Sequence, residues 1–177
     1  MYRLFKKIFK VGIVTERISI PRSEEVMVVG KSCKKLIRKY FSGSLAIRMV
    51  DAGSCNGCEL EMHALNNAFY NIERFGIHFV ASPRHADMLL VTGPVSRHME
   101  AALKTTYDAM PEPKLVIAMG DCGANGGVFG VTYASKGAVS NVIPVDQVIL
   151  GCPPTPLTLL QGILSLLQQF AEAVEKK

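Results

Sequence analysis

The chain has 177 residues, 49% of them hydrophobic and 20% charged, which fits one domain with a sizeable core and excludes disordered and collagen-like chains; its uninterrupted apolar runs fall far short of the roughly 20 residues of a membrane span. The formal charge of +5 is unevenly placed: residues 1–40 hold eleven Lys/Arg against three acids, giving +8, and the other 137 hold nine against twelve, giving −3. The basic character therefore belongs to an N-terminal arm, and the body offers no face for nucleic acid.

In Met1–Val14 the apolar Leu4, Phe5, Ile8 and Phe9 recur at helical spacing, with Arg3, Lys6, Lys7 and Lys10 on the other side. Such a segment lies in an anionic headgroup layer, packs on a partner subunit, or docks on its own domain. Pro21 ends this first part, and Lys31–Tyr40 adds a second basic stretch with Lys34, Lys35, Arg38 and Lys39 before Gly43. Residues 1–42 are read as a basic amphipathic arm and 43–177 as a single α/β domain.

From Leu45 onward, strand-like runs alternate with helical patterns. Leu45–Val50, Ile77–Ala81, Met88–Thr92, Leu115–Met119 and Gln147–Leu150 are expected strands; Gly57–Phe75, Arg97–Ala109 and Pro156–Val174 are expected helices. The alternation implies an open, mostly parallel sheet with helices on both faces and right-handed crossovers. No internal repeat is visible.

In such a sheet, ligands bind beyond the carboxyl ends of the strands. Cys55 and Cys58 follow the first strand, Cys122 the fourth and Cys152 the fifth, so three turns are expected to deliver four thiols to one edge. The cysteines are too few and too uneven for a secreted disulfide scaffold, and no apolar signal core or twin-arginine pair opens the chain. A cytoplasmic setting is expected, where clustered thiols stay reduced. Four cysteines suit a tetrahedral zinc or an iron-sulfur cluster, and spacing alone does not choose. The surroundings favour a cluster. Gly53, Gly57, Gly120, Gly123, Gly126, Gly127 and Gly151 crowd the same turns, where glycine lets backbone N–H groups approach sulfur. Cys55 and Cys58 open a helix whose positive end stabilises added negative charge.

The segments Asp51-Ala-Gly-Ser-Cys-Asn-Gly-Cys-Glu-Leu-Glu61, Thr92-Gly-Pro-Val95, Gly120-Asp-Cys-Gly123 and Gly151-Cys-Pro-Pro154 resemble the cluster-bearing small subunit shared by complex I and the NiFe hydrogenases, over about residues 45–170. The resemblance implies a flavodoxin-like fold and one 4Fe-4S cluster held by Cys55, Cys58, Cys122 and Cys152. Complex I members usually carry adjacent cysteines in the first motif; here Asn56 and Gly57 separate them, as in hydrogenase small subunits. The chain shows neither the export signal nor the cysteine-rich C-terminal domain of periplasmic hydrogenases. It is therefore most similar to the small subunit of membrane-bound, energy-converting hydrogenases and formate hydrogenlyases.

That resemblance implies a NiFe-type large subunit at the cluster edge, a ferredoxin-like iron-sulfur subunit exchanging electrons, and hydrophobic membrane subunits reached through the arm. The implied location is peripheral, on the cytoplasmic face of the cell membrane. A quinone-reducing role in a complex I-like enzyme is the second reading, and a zinc-stabilised interaction module the third. Glu59 follows Cys58 and is expected at the subunit boundary, as a proton relay or as a first-turn acid that stabilises its helix. Arg84, His85, Arg97 and His98 are expected near the cluster or on the surface, His63 as a packing residue, Cys33 as a free thiol, and the scattered methionines as core fillers. The glycine-rich stretch Gly120–Gly127 lacks the lysine and the spacing of a nucleotide loop.

Overall fold

Leucine-, isoleucine- and valine-rich runs, bounded by Gly, Pro and Asp turns, place five strands in the computed structural model, which describes residues 1–12 and 24–176. They are β1 Leu45–Asp51, β2 Ile77–Phe79, β3 Met88–Thr92, β4 Leu115–Met119 and β5 Gln147–Ile149. The helices are α1 Tyr2–Val11, α2 Glu24–Tyr40, α3 Gly57–Leu65, α4 Arg97–Asp108, α5 Gly120–Asn125 and α6 Pro156–Glu175. The expected break at Pro21 lies outside the described residues.

All strand pairs are parallel, in the order β2-β1-β3-β4-β5, the doubly wound arrangement of flavodoxin-like proteins. Burial explains the central strands: all five residues of β3 and all five of β4 are buried, as expected where helices cover both faces. Alternate side chains feed two cores. Met88, Leu90, Leu115, Ile117 and Met119 join α2, α3 and α6 on one face, while Leu89, Val91, Val116 and Ala118 pack with Leu103 of α4 and with Val139 and Ile143 on the other. Each large apolar side chain so buried contributes about 1.5–3 kcal/mol.

Residues 24–40, within the stretch read as the arm, form α2. Its Val26, Gly30, Cys33 and Ile37 are buried, and a Cβ on Gly30 would lie 2.2 Å from the Phe75 ring, so helix and core are in close contact here. Helix α1 buries none of its residues. Helix α6 is long and apolar enough to cross a membrane by length and composition, which a reading by uninterrupted apolar runs does not reveal. Leu159, Leu160, Ile163, Leu166 and Leu167 are buried in the sheet's core, which makes it a core helix of this fold.

Two elements differ from expectation. The helix expected over Gly57–Phe75 ends at Leu65, followed by a turn and a 3₁₀ segment, Ile72–Phe75. The Asn67 side chain accepts from the Phe69 and Tyr70 N–H groups, and this local turn replaces the helical hydrogen bonds. The stretch after β4, expected as a glycine-rich loop, instead begins with the short helix α5, which carries Cys122.

Candidate iron-sulfur centre

Strand register determines where the site can form. Asp51, Thr92, Met119 and Ile149 lie abreast at the carboxyl ends of β1, β3, β4 and β5, so the turns that follow start from one level. Cys55 lies in the turn after β1, Cys58 in the first turn of α3, Cys122 in α5 and Cys152 in the turn before α6. All four line a single cavity of about 120 Å³ together with Gly57, Gly93 and Pro153.

Side-chain carboxylates hold these turns. Asp51 Oδ1 accepts from the N–H groups of Gly53 and Ser54 at 2.8 and 2.7 Å, and Ser54 Oγ accepts from Asn56 N–H at 3.0 Å; together they fold the Cys55 turn back over the strand end. Asp121 clasps the other two ligand segments. Its N–H donates to the Gly151 carbonyl at 3.0 Å, and its Oδ1 accepts from Gly151 N–H at 2.9 Å, so Cys122 and Cys152 are tied together by a reciprocal pair. Asp51 and Asp121 were not expected as site builders, although both stand inside the quoted motifs, and aspartate hydrogen-bonds the backbone two residues on in turns.

Glycine is required sterically at two points. Gly120 has φ +80°, and a Cβ there would lie 2.8 Å from Cys58 Sγ; Gly127 has φ +55°, and its Cβ would lie 2.7 Å from Cys122 Sγ. A methyl group at either place would occupy the space that the sulfurs face.

The electrostatics ask for positive charge. The half-buried Cys58 thiol is pushed up to about 12, first by burial and then by Glu59, Cys55, Cys122 and Cys152. Cys122 is raised by burial and then by Cys152, Cys55 and Asp121. Burial and the neighbouring sulfurs thus disfavour the thiolates of Cys58 and Cys122, so holding them ionised calls for cationic centres among the sulfurs. Among the described residues, no three His, Cys, Asp or Glu side chains converge closely enough for a single metal ion. Four soft donors around one cavity are the donor set that holds either a tetrahedral zinc or an iron-sulfur cluster.

Glu59 is 4% exposed. Its Oε1 accepts a hydrogen bond from the Thr92 hydroxyl at the end of β3, while Oε2 is buried and finds no hydrogen-bond partner among the described residues. Arg84 and His85 lie in the 3₁₀ turn Pro83–His85, and Arg97 and His98 open α4; none of the four lines the cysteine cavity. His63 lines a separate apolar pocket with Arg48 and Met62. Met88, Met110 and Met119 are buried core residues, and Cys33 is a buried free thiol.

Residues 55–166 match the family described as NADH ubiquinone oxidoreductase, 20 Kd subunit. The chain is 41% identical over 137 residues to a probable membrane-bound hydrogenase subunit of Pyrococcus furiosus, covering 77% of this chain and 82% of the relative. It is 43% identical over 145 residues to formate hydrogenlyase subunit 7 of Escherichia coli, covering 80% of this chain and 57% of that protein. An NADH-quinone oxidoreductase subunit of Citrifermentans bemidjiense is 46% identical over 114 residues, covering 64% of this chain and 66% of its own. Among solved structures, a chain of an archaeal membrane-bound sulfane sulfur reductase superposes with a TM-score of 0.64 at 38% identity, covering 73% of this chain and 71% of that one. A chain of an NAD+-reducing NiFe hydrogenase shares the fold, with a TM-score of 0.55 at 17% identity over 71% of this chain and 92% of its own. The chain belongs to the 20 kDa subunit family of NADH ubiquinone oxidoreductase, which it shares with subunits of NiFe hydrogenases, and is an oxidoreductase subunit.

Proposed function

We propose that this protein is the electron-transfer small subunit of a membrane-bound NiFe hydrogenase complex, with Cys55, Cys58, Cys122 and Cys152 holding one 4Fe-4S cluster proximal to the active site of a large subunit. The observation that carries the reading is the convergence of four thiols from three turns on one cavity at the carboxyl edge of the sheet. Asn56 and Gly57 between the first two cysteines favour the hydrogenase branch over quinone reduction. A cluster at this place supplies one-electron redox capacity.

The chain's own residues do the rest. Asp51 and Asp121 fix the turns, Gly120 and Gly127 leave the sulfurs room, and the first turn of α3 directs its positive end at the site. Next to Cys122, the exposed Val128, Phe129, Val131 and Tyr133 form an apolar rim suited to a large-subunit partner. Glu59, with one carboxyl oxygen unpartnered among the described residues, serves as a proton relay at that boundary. Helix α1 seats the complex on hydrophobic membrane subunits at the cytoplasmic face, and a ferredoxin-like iron-sulfur subunit exchanges electrons with this one.

The test is the metal and sulfide content of the anaerobically purified complex, with its electron paramagnetic resonance. About four irons and four sulfides bound at this subunit are expected, together with nickel in the large subunit. Cys122→Ser removes or converts the cluster signal. A complex that has the cluster but lacks nickel overturns the hydrogenase reading in favour of the quinone-reducing one, and zinc in place of iron overturns both.

A further inference from the structure

The opposite end of the sheet holds a second cavity, of about 540 Å³, lined by Lys34 and Arg38 of α2, the turn at Ser42 and Gly43, Glu73 and Arg74 of the 3₁₀ segment, and His78 of β2. Its size falls within the roughly 300–1,000 Å³ range of ligand clefts. It lies where β1 and β2 begin, whereas the cysteines lie where the strands end, so the two sites are separate.

Its geometry is fixed by the backbone. A Cβ on Gly76 (φ +89°) would lie 2.6 Å from the Gly43 carbonyl oxygen, so the two turns are pressed together. Lys34 Nζ donates to the Arg74 carbonyl at 3.0 Å, tying α2 to the 3₁₀ segment and leaving its other N–H donors free. The Arg74 guanidinium lies 4.7 Å from the centroid of the Phe75 ring, and its Nε is buried with no hydrogen-bond partner among the described residues.

The charges around this cavity do not balance. Lys34, Arg38 and Arg74 face a single acid, Glu73, and among the described residues none of these four makes a salt bridge. Three like charges held around one polar space repel one another unless an anion joins them. Two guanidinium groups, an ammonium group and an imidazole around one space supply N–H donors from several directions, which the oxygens of a tetrahedral phosphate can accept, the guanidinium groups as forks and lysine as a point charge. We propose that the cleft between α2 and the Ile72–Ile77 corner binds a phosphate group, carried either by a phospholipid headgroup or by a soluble phosphate. This site goes beyond the electron-transfer reading and does not depend on the cluster.

Histidine resonances give a direct readout, because the chain has four histidines and His78 lines the cleft. The full chain is titrated at low salt with inorganic phosphate, with dihexanoyl phosphatidylglycerol below its micelle concentration, and with dihexanoyl phosphatidylcholine as the zwitterionic control. A saturable shift of the His78 ring signals is expected with inorganic phosphate or phosphatidylglycerol. Equal response to both identifies a soluble phosphate as ligand; a response to phosphatidylglycerol alone identifies the headgroup. Arg38 is exposed, so Arg38→Gln leaves the fold intact and weakens binding about tenfold. Arg38→Gln combined with Arg74→Gln abolishes the shift, while Lys6→Gln with Lys7→Gln in α1 leaves it unchanged. No saturable His78 shift with either phosphate probe, or equal affinity in the Arg38→Gln protein, overturns the proposal.

Discussion

At the scale of single residues, Glu59 is the side chain whose placement asks most for an explanation. A first-turn acid whose only task is to stabilise its helix keeps its carboxylate in water, where solvation costs nothing. Glu59 is instead buried against the end of β3, with Oε1 taken by Thr92 and Oε2 without a partner among the described residues. Leaving a buried acceptor unsatisfied costs about 1–3 kcal/mol, a cost that helix stabilisation alone does not explain. Glutamine has the same shape and keeps an oxygen for the Thr92 hydroxyl, but it cannot carry a proton. Glu59→Gln is therefore expected to lower hydrogen turnover on the order of a hundredfold while the cluster's resonance spectrum and the iron content stay unchanged. A rate equal to the parent's eliminates the relay, and a lost spectrum shows that the side chain is structural.

At the scale of elements, α2 shows how a surface pattern can hide a packing one. Its Lys31, Lys34, Lys35, Arg38 and Lys39 dominate the sequence, yet Val26, Gly30, Cys33 and Ile37 form a buried stripe at helical spacing beneath them. Burial pushes the Cys33 thiol up to about 12 from an ordinary 9.0. The folded chain thus holds this proton more tightly than the unfolded chain. The thiol's contribution is intact below pH 9 and is lost as the pH climbs from about 9 to about 12, at about 1.4 kcal/mol per pH unit. Denaturant midpoints measured from pH 8 to 11 are expected to fall less steeply for Cys33→Ala than for the parent, and parallel curves would show that this thiol does not ionise in that range. The strands were legible because β3 and β4 are uninterrupted apolar runs, and the cysteine edge because each thiol follows a strand end. The end of α3 was legible in principle, since Asn66 and Asn67 follow Leu65 and asparagine favours helix ends and turns; the apolar Phe69, Tyr70, Ile72 and Phe75 beyond them extended the helical pattern past the Asn67 side-chain turn. Helix α5 was hidden for the opposite reason: Gly120-Asp-Cys-Gly123 reads as a loop, and its helical form rests on tertiary ties such as the Asp121–Gly151 clasp.

At the scale of the whole molecule, charge and apolar surface are segregated in a way that suits a subunit seated between a membrane and a redox partner. Residues 1–40 carry +8 and the rest −3, and α1 exposes Leu4, Phe5, Ile8 and Phe9 by more than half with no residue buried. Covering Phe5 and Ile8 is worth about 1.5–3 kcal/mol each, so replacing both by serine should weaken attachment by on the order of a hundredfold. The complex carrying Phe5→Ser and Ile8→Ser is therefore expected in the soluble fraction after cell lysis, with unchanged iron content and unchanged electron transfer to a soluble dye. Lys6→Gln with Lys7→Gln separates the two ways of attaching. If α1 packs on hydrophobic membrane subunits, that pair of changes leaves the membrane-bound fraction nearly as it was at physiological salt. If α1 lies among anionic headgroups, binding weakens by about 1 kcal/mol per lost cation and loses much of its salt dependence. A complex that stays on the membrane after Phe5→Ser and Ile8→Ser would show that α1 is not the anchor and would shift that role to another surface or subunit.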